Sequence, residues 1–291
     1  MALRRDADPQ SRFVADGIEG RCVVALADLA DHESLLRVLN EHEVSAVFHL
    51  GAQTIVGTAN RSPLSTFESN VRGTYALLEA CRALGGSVQR IVVASSDKAY
   101  GAYEELPYRE DFALKACYPY DVSKACADLI ARSYAETYDL PLAVTRFANV
   151  YGPGDLNWSR VIPDCARALV RGERPVIRSD GTPERDYLYI DDAVDAYLAI
   201  ATSLDREELR GRAWNAGWGE PVSVLELVRR LISVSGRDLD PDIRGHGVPH
   251  GEIGRQFLDS TAIREELGWA PSVELDEGLA AAWEWYESRL R

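Results

Sequence analysis

A chain of 291 residues can build one large core or two smaller ones, and 46% hydrophobic with 27% charged content is ordinary for a globular protein. The formal net charge of −14 argues against a nucleic-acid partner, and no uninterrupted apolar run of about 18 residues is present to cross a membrane. The opening MALRRDADPQSRF has no apolar core behind its arginines, so it does not read as a secretory leader, and the sequence reads as a soluble cytoplasmic protein.

In chain order, Cys22–Leu26 and Ala46–Leu50 read as buried strands, with no strand expected ahead of Cys22. Between them Leu35, Leu36 and Leu39 give a helix its apolar stripe, and Val71, Leu77, Leu78, Cys81 and Leu84 do the same for a second helix. Arg90–Ala94 (RIVVA) is another buried strand, and Leu142–Thr145 leads into one near Phe147. Strands alternating with helices imply an α/β fold, a parallel sheet of Rossmann-like type covered by helices. Asp192–Leu204 reads as an amphipathic helix with Val194, Tyr197, Leu198 and Ala201 on one face. Ser223-Val-Leu-Glu226 reads as a capping box, with Leu227, Val228, Leu231 and Ile232 following and a stop near Gly236. Leu279–Leu290 is helical again. The expected division is a cofactor domain of residues 1–150 plus about 191–205, and a substrate domain of 151–190 and 206–291 laid across the carboxyl edge of the sheet. Cys22, Cys81, Cys117, Cys126 and Cys165 lack ligand spacing, so no metal site is expected and the thiols read as buried and reduced.

Tyr120-Asp-Val-Ser-Lys124 puts a phenol and an ammonium one helical turn apart on one face. A tyrosine titrates near ~10 and is a poor base at neutral pH unless a nearby cation favours its phenolate. As a lone motif it is more often a surface pair. Upstream, RIVVASSDKAYG ends a buried strand in Ser95, Ser96, Asp97 and Lys98, where α/β sheets place reactive groups.

Together these segments resemble the extended short-chain dehydrogenase/reductases that act on nucleotide sugars, the NAD-dependent epimerase/dehydratase family. RFANVYGPGDLNWSRVIPD (146–164), PVIRSDGTPERDYLYIDDAVDAYLAIA (175–201) and GRQFLDSTAIREELGW (254–269) resemble further family segments, and the likeness runs from residue 22 to 291. Asp97, in Ser-Asp-Lys, and VFHLGAQTIVGTANRSPLSTFESN (47–70) are similar to the CDP-glucose 4,6-dehydratase branch. The resemblance implies an internal redox cycle on a nucleotide sugar with NAD as cofactor. Ser96, Asp97, Lys98, Tyr120 and Lys124 would be catalytic: Tyr120 the base at the C4 hydroxyl with Ser96 beside it, Asp97 the acid at C6, and Lys98 the base at C5 or an orienting group. Those roles need Asp97 above ~3.9 and Lys98 below ~10.4. It further implies cofactor contacts from Asp28, Leu29, Leu50, Gly51, Ala52, Gln53, Asn70, Tyr120 and Lys124. Substrate contacts would come from Asn149, Arg160 and Arg185, whose planar cations suit phosphate. Arg167, Arg171 and Arg174 read instead as a solvated helix face and its exit. A homodimer is the implied assembly. A 4-epimerase or reductase on the same scaffold, or a non-catalytic relic binding nucleotide sugar or a partner chain, remain alternatives.

The glycine-rich turn that opens such folds and holds the cofactor pyrophosphate does not occur in these residues. The expectation is a sheet lacking its first strand–turn–helix, with the start lying upstream of Met1 or with Cys22–Leu26 pairing directly with Ala46–Leu50.

Overall fold

The computed structural model describes residues 1–6, 8–247 and 253–290. The chain folds as two compact units: Met1–Ser95 with Cys117–Thr145 and Ile200–Ala213, and Ser96–Ala116 with Arg146–Ala199 and Trp214–Arg291. Ser96–Ala116, within the expected cofactor domain, groups with the second unit. The reason is local: the buried Tyr100 and Tyr108 bond to Asn215, and Tyr108 bridges to Leu258.

In the first unit, strands β1 (Ala2–Arg4) and β2 (Val24–Leu26) pair in parallel, Ala2 opposite Val24. Two expectations are corrected here: a strand does precede Cys22, and the strand after it does not pair with Ala46–Leu50. Three residues are too few to show a period, so Ala2–Arg4 is a strand only because Val24–Leu26 supplies its partner. β3 (Ala46–His49), β4 (Arg90–Ala94) and β5 (Leu142–Phe147) form a separate parallel sheet, with Ala46 opposite Arg90 and Ile91 opposite Leu142. Beyond β5, Gly211 N–H donates to Leu142 O at 2.7 Å and Val144 N–H to Arg212 O at 2.9 Å. The parallel arrangement is the expected one, because residues 91–93 and 142–144 are apolar runs with every residue buried. Helices His32–Glu41, Gly73–Ala83 and Pro119–Tyr138 supply Leu35, Leu39, Leu77, Leu78, Cys81 and Ala131 to a core with Ile91, Val93, Leu142 and Val144. Asp31 caps the first of these, its carboxylate accepting from Ser34 N–H.

The second unit pairs short strands: Asn149–Tyr151 with Tyr187–Tyr189, Val176–Ile177 with Asp242–Ile243, and Glu184–Arg185 between Val222–Ser223 and Arg255–Gln256. Helices Val161–Val170, Val224–Val234 and Leu275–Leu290 pack Ile162, Leu169, Leu227, Leu231, Leu279 and Trp283 into its core. Ser223 Oγ accepts from Glu226 N–H as the capping box requires, while Glu226 spends its carboxylate on Arg230, and Gly236 ends the segment at φ +66°.

The helix read at Asp192–Leu204 spans Ile190–Ser203, but its apolar stripe differs. Val194 and Leu198 are exposed, and the buried positions are Ala193, Ala196, Ile200 and Ala201. Alanines score weakly in a hydrophobic pattern yet permit the closest packing, so burial followed the small residues. The thiols also divide: Cys81 and Cys165 are buried, with burial pushing both up to about 12, whereas Cys22 and Cys126 are half-buried and Cys117 is exposed.

Candidate active site

Within the first unit, helix Pro119–Tyr138 begins with Pro119 in its first turn, which its fixed φ suits. That start places Tyr120 and Lys124 one turn apart near the helix N-terminus. Lys124 is buried and donates from Nζ to Ala94 O at 2.8 Å, while Ser95 Oγ donates to Lys124 O at 3.1 Å. The end of β4 and the helix are thus stitched together from both directions. Burial lowers the Lys124 ammonium from 10.5 to about 8. His49, at the end of β3, is buried as well, and desolvation followed by the Lys124 charge lowers it to about 3, so it is neutral.

Asn70 is a hub. Its Oδ1 accepts from Gln53 N–H at 2.6 Å, and its Nδ2 donates to Gln53 O at 3.0 Å and to Ser123 Oγ at 2.9 Å. Ser123 Oγ in turn donates to Tyr120 O at 2.6 Å. On the other side Thr74 Oγ1 donates to Asn70 O, which leaves His49 Nε2–H as the donor to Thr74 at 2.9 Å. Asn70 sits in a widened, π-type turn, Glu68–Arg72, inserted ahead of helix Gly73–Ala83. Such a turn re-aims one side chain without ending the helix. Expected as a cofactor contact, Asn70 has its whole amide committed to the Gln53 backbone and Ser123, so its influence runs through them.

Asp28, Leu29, Leu50, Gly51, Ala52 and Gln53 all line one cavity of about 900 Å³ in this unit, together with Met1–Asp6 and Ala46–His49. A Cβ on Gly51 would come within 2.7 Å of Leu29 Cδ1, so a side chain there requires Leu29 to shift. The volume is of the size that cofactor clefts have. Asn70 holds the 51–53 backbone through Gln53, and the Asp28 carboxylate accepts from Ala30 N–H at 2.8 Å, so these are the groups of the wall that could hold a dinucleotide.

Within the second unit, Ser96 opens a tight 3₁₀ turn, Asp97–Tyr100. Ser96 Oγ accepts from Lys98 N–H at 3.2 Å and donates to Asp97 Oδ1 at 2.9 Å. Asp97 is buried and its Oδ2 has no hydrogen-bond partner among the described residues. Burial raises its carboxyl above the ordinary range, against the opposing pull of Lys98, Ser96 and Arg185. Lys98 itself is half-buried.

Asn149, Arg160 and Arg185 line a second cavity, of about 510 Å³. Arg185 is 8% exposed and donates to Glu184 O at 2.8 Å, whereas Arg160 is exposed and paired with Asp155 at 3.2 Å. Asn149 Nδ2 donates to Asp186 O at 3.3 Å. Arg167 stays with Asp164 at 2.7 Å and lies over Trp158, and Arg174 donates to the carbonyls of Asp240 and Pro241, as a helix face and its exit should.

Two features of the second unit escaped the sequence reading. Arg178 lines the same cavity and pairs with Asp164 at 2.9 Å. Asp186 is a fully buried clasp that accepts from the backbone N–H groups of Trp218, Gly219 and Leu258, and burial raises it from 3.8 to about 7. Its place beside Arg185 in Arg-Asp-Tyr was the available signal. Among the described residues no group of histidine, cysteine and carboxylate side chains could hold a metal ion, and no helix is long and apolar enough to cross a membrane.

Comparison with known proteins adds to this geometry. Residues 3–217 match the model of the NAD dependent epimerase/dehydratase family. A dTDP-glucose 4,6-dehydratase from Streptomyces griseus is 35% identical over 82% of this chain and 71% of its own length. A UDP-glucose 4-epimerase from Mycolicibacterium smegmatis is 32% identical over 90% and 82%. The crystal structure of a dTDP-glucose 4,6-dehydratase from Streptomyces venezuelae with NAD bound superposes with a TM-score of 0.83 at 28% identity, over 96% of this chain and 84% of that one. With its parallel Rossmann-like sheet and its motifs spread over most of its length, the chain belongs to the NAD dependent epimerase/dehydratase family.

Proposed function

We propose that this protein is a nucleotide-sugar 4,6-dehydratase, removing water from a nucleoside-diphosphate hexose to leave the 4-keto-6-deoxy sugar, with CDP-glucose the favoured substrate. The observation that carries the reading is Asp97, a buried carboxyl whose proton is held above the ordinary range and whose Oδ2 is uncommitted. A 4-epimerase needs no such acid, because nothing leaves C6. CDP-glucose rests on the Ser-Asp-Lys likeness, and the 35% identical relative named for dTDP-glucose makes the base an experimental question.

Tyr120 takes the proton of the C4 hydroxyl, with Lys124 stabilising the phenolate. NAD held in the larger cavity would supply the hydride chemistry that links C4 and C6. Lys98 removes the proton from C5, made acidic by the C4 ketone. Asp97 gives its proton to the C6 hydroxyl, which leaves as water. Lys98 then returns a proton to C5, and the proton gathered by Tyr120 replaces through solvent the one Asp97 gave up. The balance is one water lost and no net oxidation. Asp28, Leu29 and Leu50 to Gln53 would hold the cofactor, with Asn70 acting through Gln53, and Asn149, Arg160 and Arg185 would hold the diphosphate of the substrate.

The 32% identical relative named as a 4-epimerase supports a second reading, inversion at C4 by the same Tyr120 and Lys124. We further propose a cytoplasmic homodimer, joined through the helical face that exposes Leu64, Tyr75 and Leu129. Incubating the full chain with NAD and, in turn, CDP-, dTDP- and UDP-glucose tests these readings by mass spectrometry. A product lighter by one water is expected. An isomer of unchanged mass would transfer the assignment to epimerisation, and no conversion of any of the three would overturn both.

A further inference from the structure

The sequence brings out Tyr100 and Arg146 as parts of motifs without giving either a task, and the structure puts both in one buried network on the turn that carries Asp97. Tyr100 is completely buried and Arg146 is 1% exposed. Tyr100 Oη donates to Asn215 Oδ1 at 2.7 Å and accepts from Arg146 Nη1 at 3.0 Å, with the guanidinium carbon 5.0 Å from the ring centroid. The direction of every bond is forced. Asn215 uses both Nδ2 hydrogens on carbonyls, Tyr108 O at 2.8 Å and Asp259 O at 3.2 Å, so the atom facing Tyr100 is its oxygen. Arginine cannot accept. The phenol must therefore stay protonated, which agrees with burial raising it to about 12.

The same residue is held at its backbone. Tyr100 O accepts from Lys115 N–H at 3.0 Å, and the next residue, Gly101, has φ +73° with room for no Cβ, since one would lie 2.5 Å from Lys115 O. Tyr108 Oη donates to Gly101 O at 2.8 Å. Asp97 to Tyr100 form one turn of 3₁₀ helix, so clamping Tyr100 at ring, hydroxyl and carbonyl fixes the orientation of the carboxyl three residues earlier. No atom of Tyr100 needs to touch substrate for this.

We propose that Tyr100 is a positioning residue for Asp97, with Arg146 and Asn215 as the donor and acceptor that hold its hydroxyl. The role in turnover rests on the dehydratase reading, whereas the control of Asp97 does not. The groups that face Asp97 are Ser96, Lys98, Tyr108, Arg185 and Asp186, and none of them is altered by the test.

The test uses the full chain carrying Tyr100→Phe, with Tyr103→Phe as control, because the Tyr103 hydroxyl donates to Ala113 O and not to the Tyr100 network. The first readout is carboxyl ¹³C NMR of labelled aspartate, with the Asp97 signal assigned by Asp97→Asn. The Asp97 midpoint is expected to fall toward the ordinary ~3.9 in Tyr100→Phe and to stay in place in Tyr103→Phe. The second readout is turnover: about a tenfold to hundredfold lower kcat with KM for the sugar nucleotide within about twofold, as loss of alignment rather than of binding gives. An unchanged Asp97 midpoint overturns the proposal, even where the chain turns over no sugar nucleotide at all. If wild type converts none of the three substrates while the midpoint shifts, the dehydratase reading fails and the positioning role stands. Should Tyr100→Phe not fold, Arg146→Lys replaces the donor on the Tyr100 hydroxyl, along with the Arg146 bond to Glu110 O, and is expected to move the same two readouts. An unmoved midpoint there would equally overturn it.

Discussion

Lys124 Nζ donates to Ala94 O at 2.8 Å, so a buried ammonium is tied to the last residue of β4. The sign of its pH effect follows from burial, which brings it from 10.5 to about 8. Its folded pKa lies below its unfolded one, so burial of the charge costs stability below about pH 8, and that cost is relieved as pH rises from there toward ~10.4. Function should move the opposite way. The activity-linked cation is lost above about pH 8, and kcat is expected to fall along an alkaline limb near that value. Lys124→Met should lower kcat about a hundredfold or more with no such limb, while the thermal midpoint stays within a few degrees. A pH–rate profile of both proteins checks this.

Asp97→Asn keeps the size of the side chain and removes the transferable proton. General acid catalysis typically contributes about 10²–10⁴-fold, so elimination should fall by that much with KM little changed. Proton release from the C4 hydroxyl depends on Tyr120 and should persist. Wild-type rates of water loss in this variant would refute the acid role.

Asn70→Ala removes three hydrogen bonds from the Gln53 backbone and Ser123 at once. With the 51–53 segment released, the chain's affinity for NAD should weaken about tenfold or more, a loss of ~1.4 kcal/mol per decade. Titration calorimetry measures it, and circular dichroism should show an unaltered fold.

Asp186→Asn probes the buried clasp. One amide oxygen replaces a carboxylate that accepts three backbone N–H groups, and an orphaned buried donor costs about 1–3 kcal/mol. The folded pKa, about 7, lies above the unfolded one, so in the wild type this group lowers stability as pH rises from ~4 to about 7. The variant should be less stable at pH 5 and show a flatter dependence across that window in urea unfolding.

Gly51→Ala brings a Cβ within 2.7 Å of Leu29 Cδ1. Overpacking costs about 1–3 kcal/mol, and because both residues line the larger cavity, NAD binding should weaken alongside the thermal midpoint. Equal NAD affinity in the variant would show that this wall is not used.

Long-period and strongly apolar features were legible in the sequence. β4 matched RIVVA residue for residue, and Ser223 capped its helix as the pattern required. Both depend on contacts a few residues apart or on continuous burial, which local sequence records. The helix at Ile190–Ser203 was found, but its buried face was not, because alanine spacing and not hydrophobicity chose it. Asp28, Leu29 and Leu50 to Gln53 line one cavity, and Asn149, Arg160 and Arg185 another. Arg178 was missed although it stands inside the 175–201 segment, because only the fold sets it beside Asp164 on the cavity wall.

By itself the sequence determined the alternation of strands and helices, the polar run that follows β4 and the one-turn spacing of Tyr120 and Lys124, since each is set by spacing along the chain. Tertiary structure alone decided that Ala2–Arg4 is a strand, that Asn70 spends its amide on Gln53 and Ser123, and that burial raises the Asp97 carboxyl. Those outcomes depend on partners tens of residues away and on exclusion of water, and neither quantity is written in local composition.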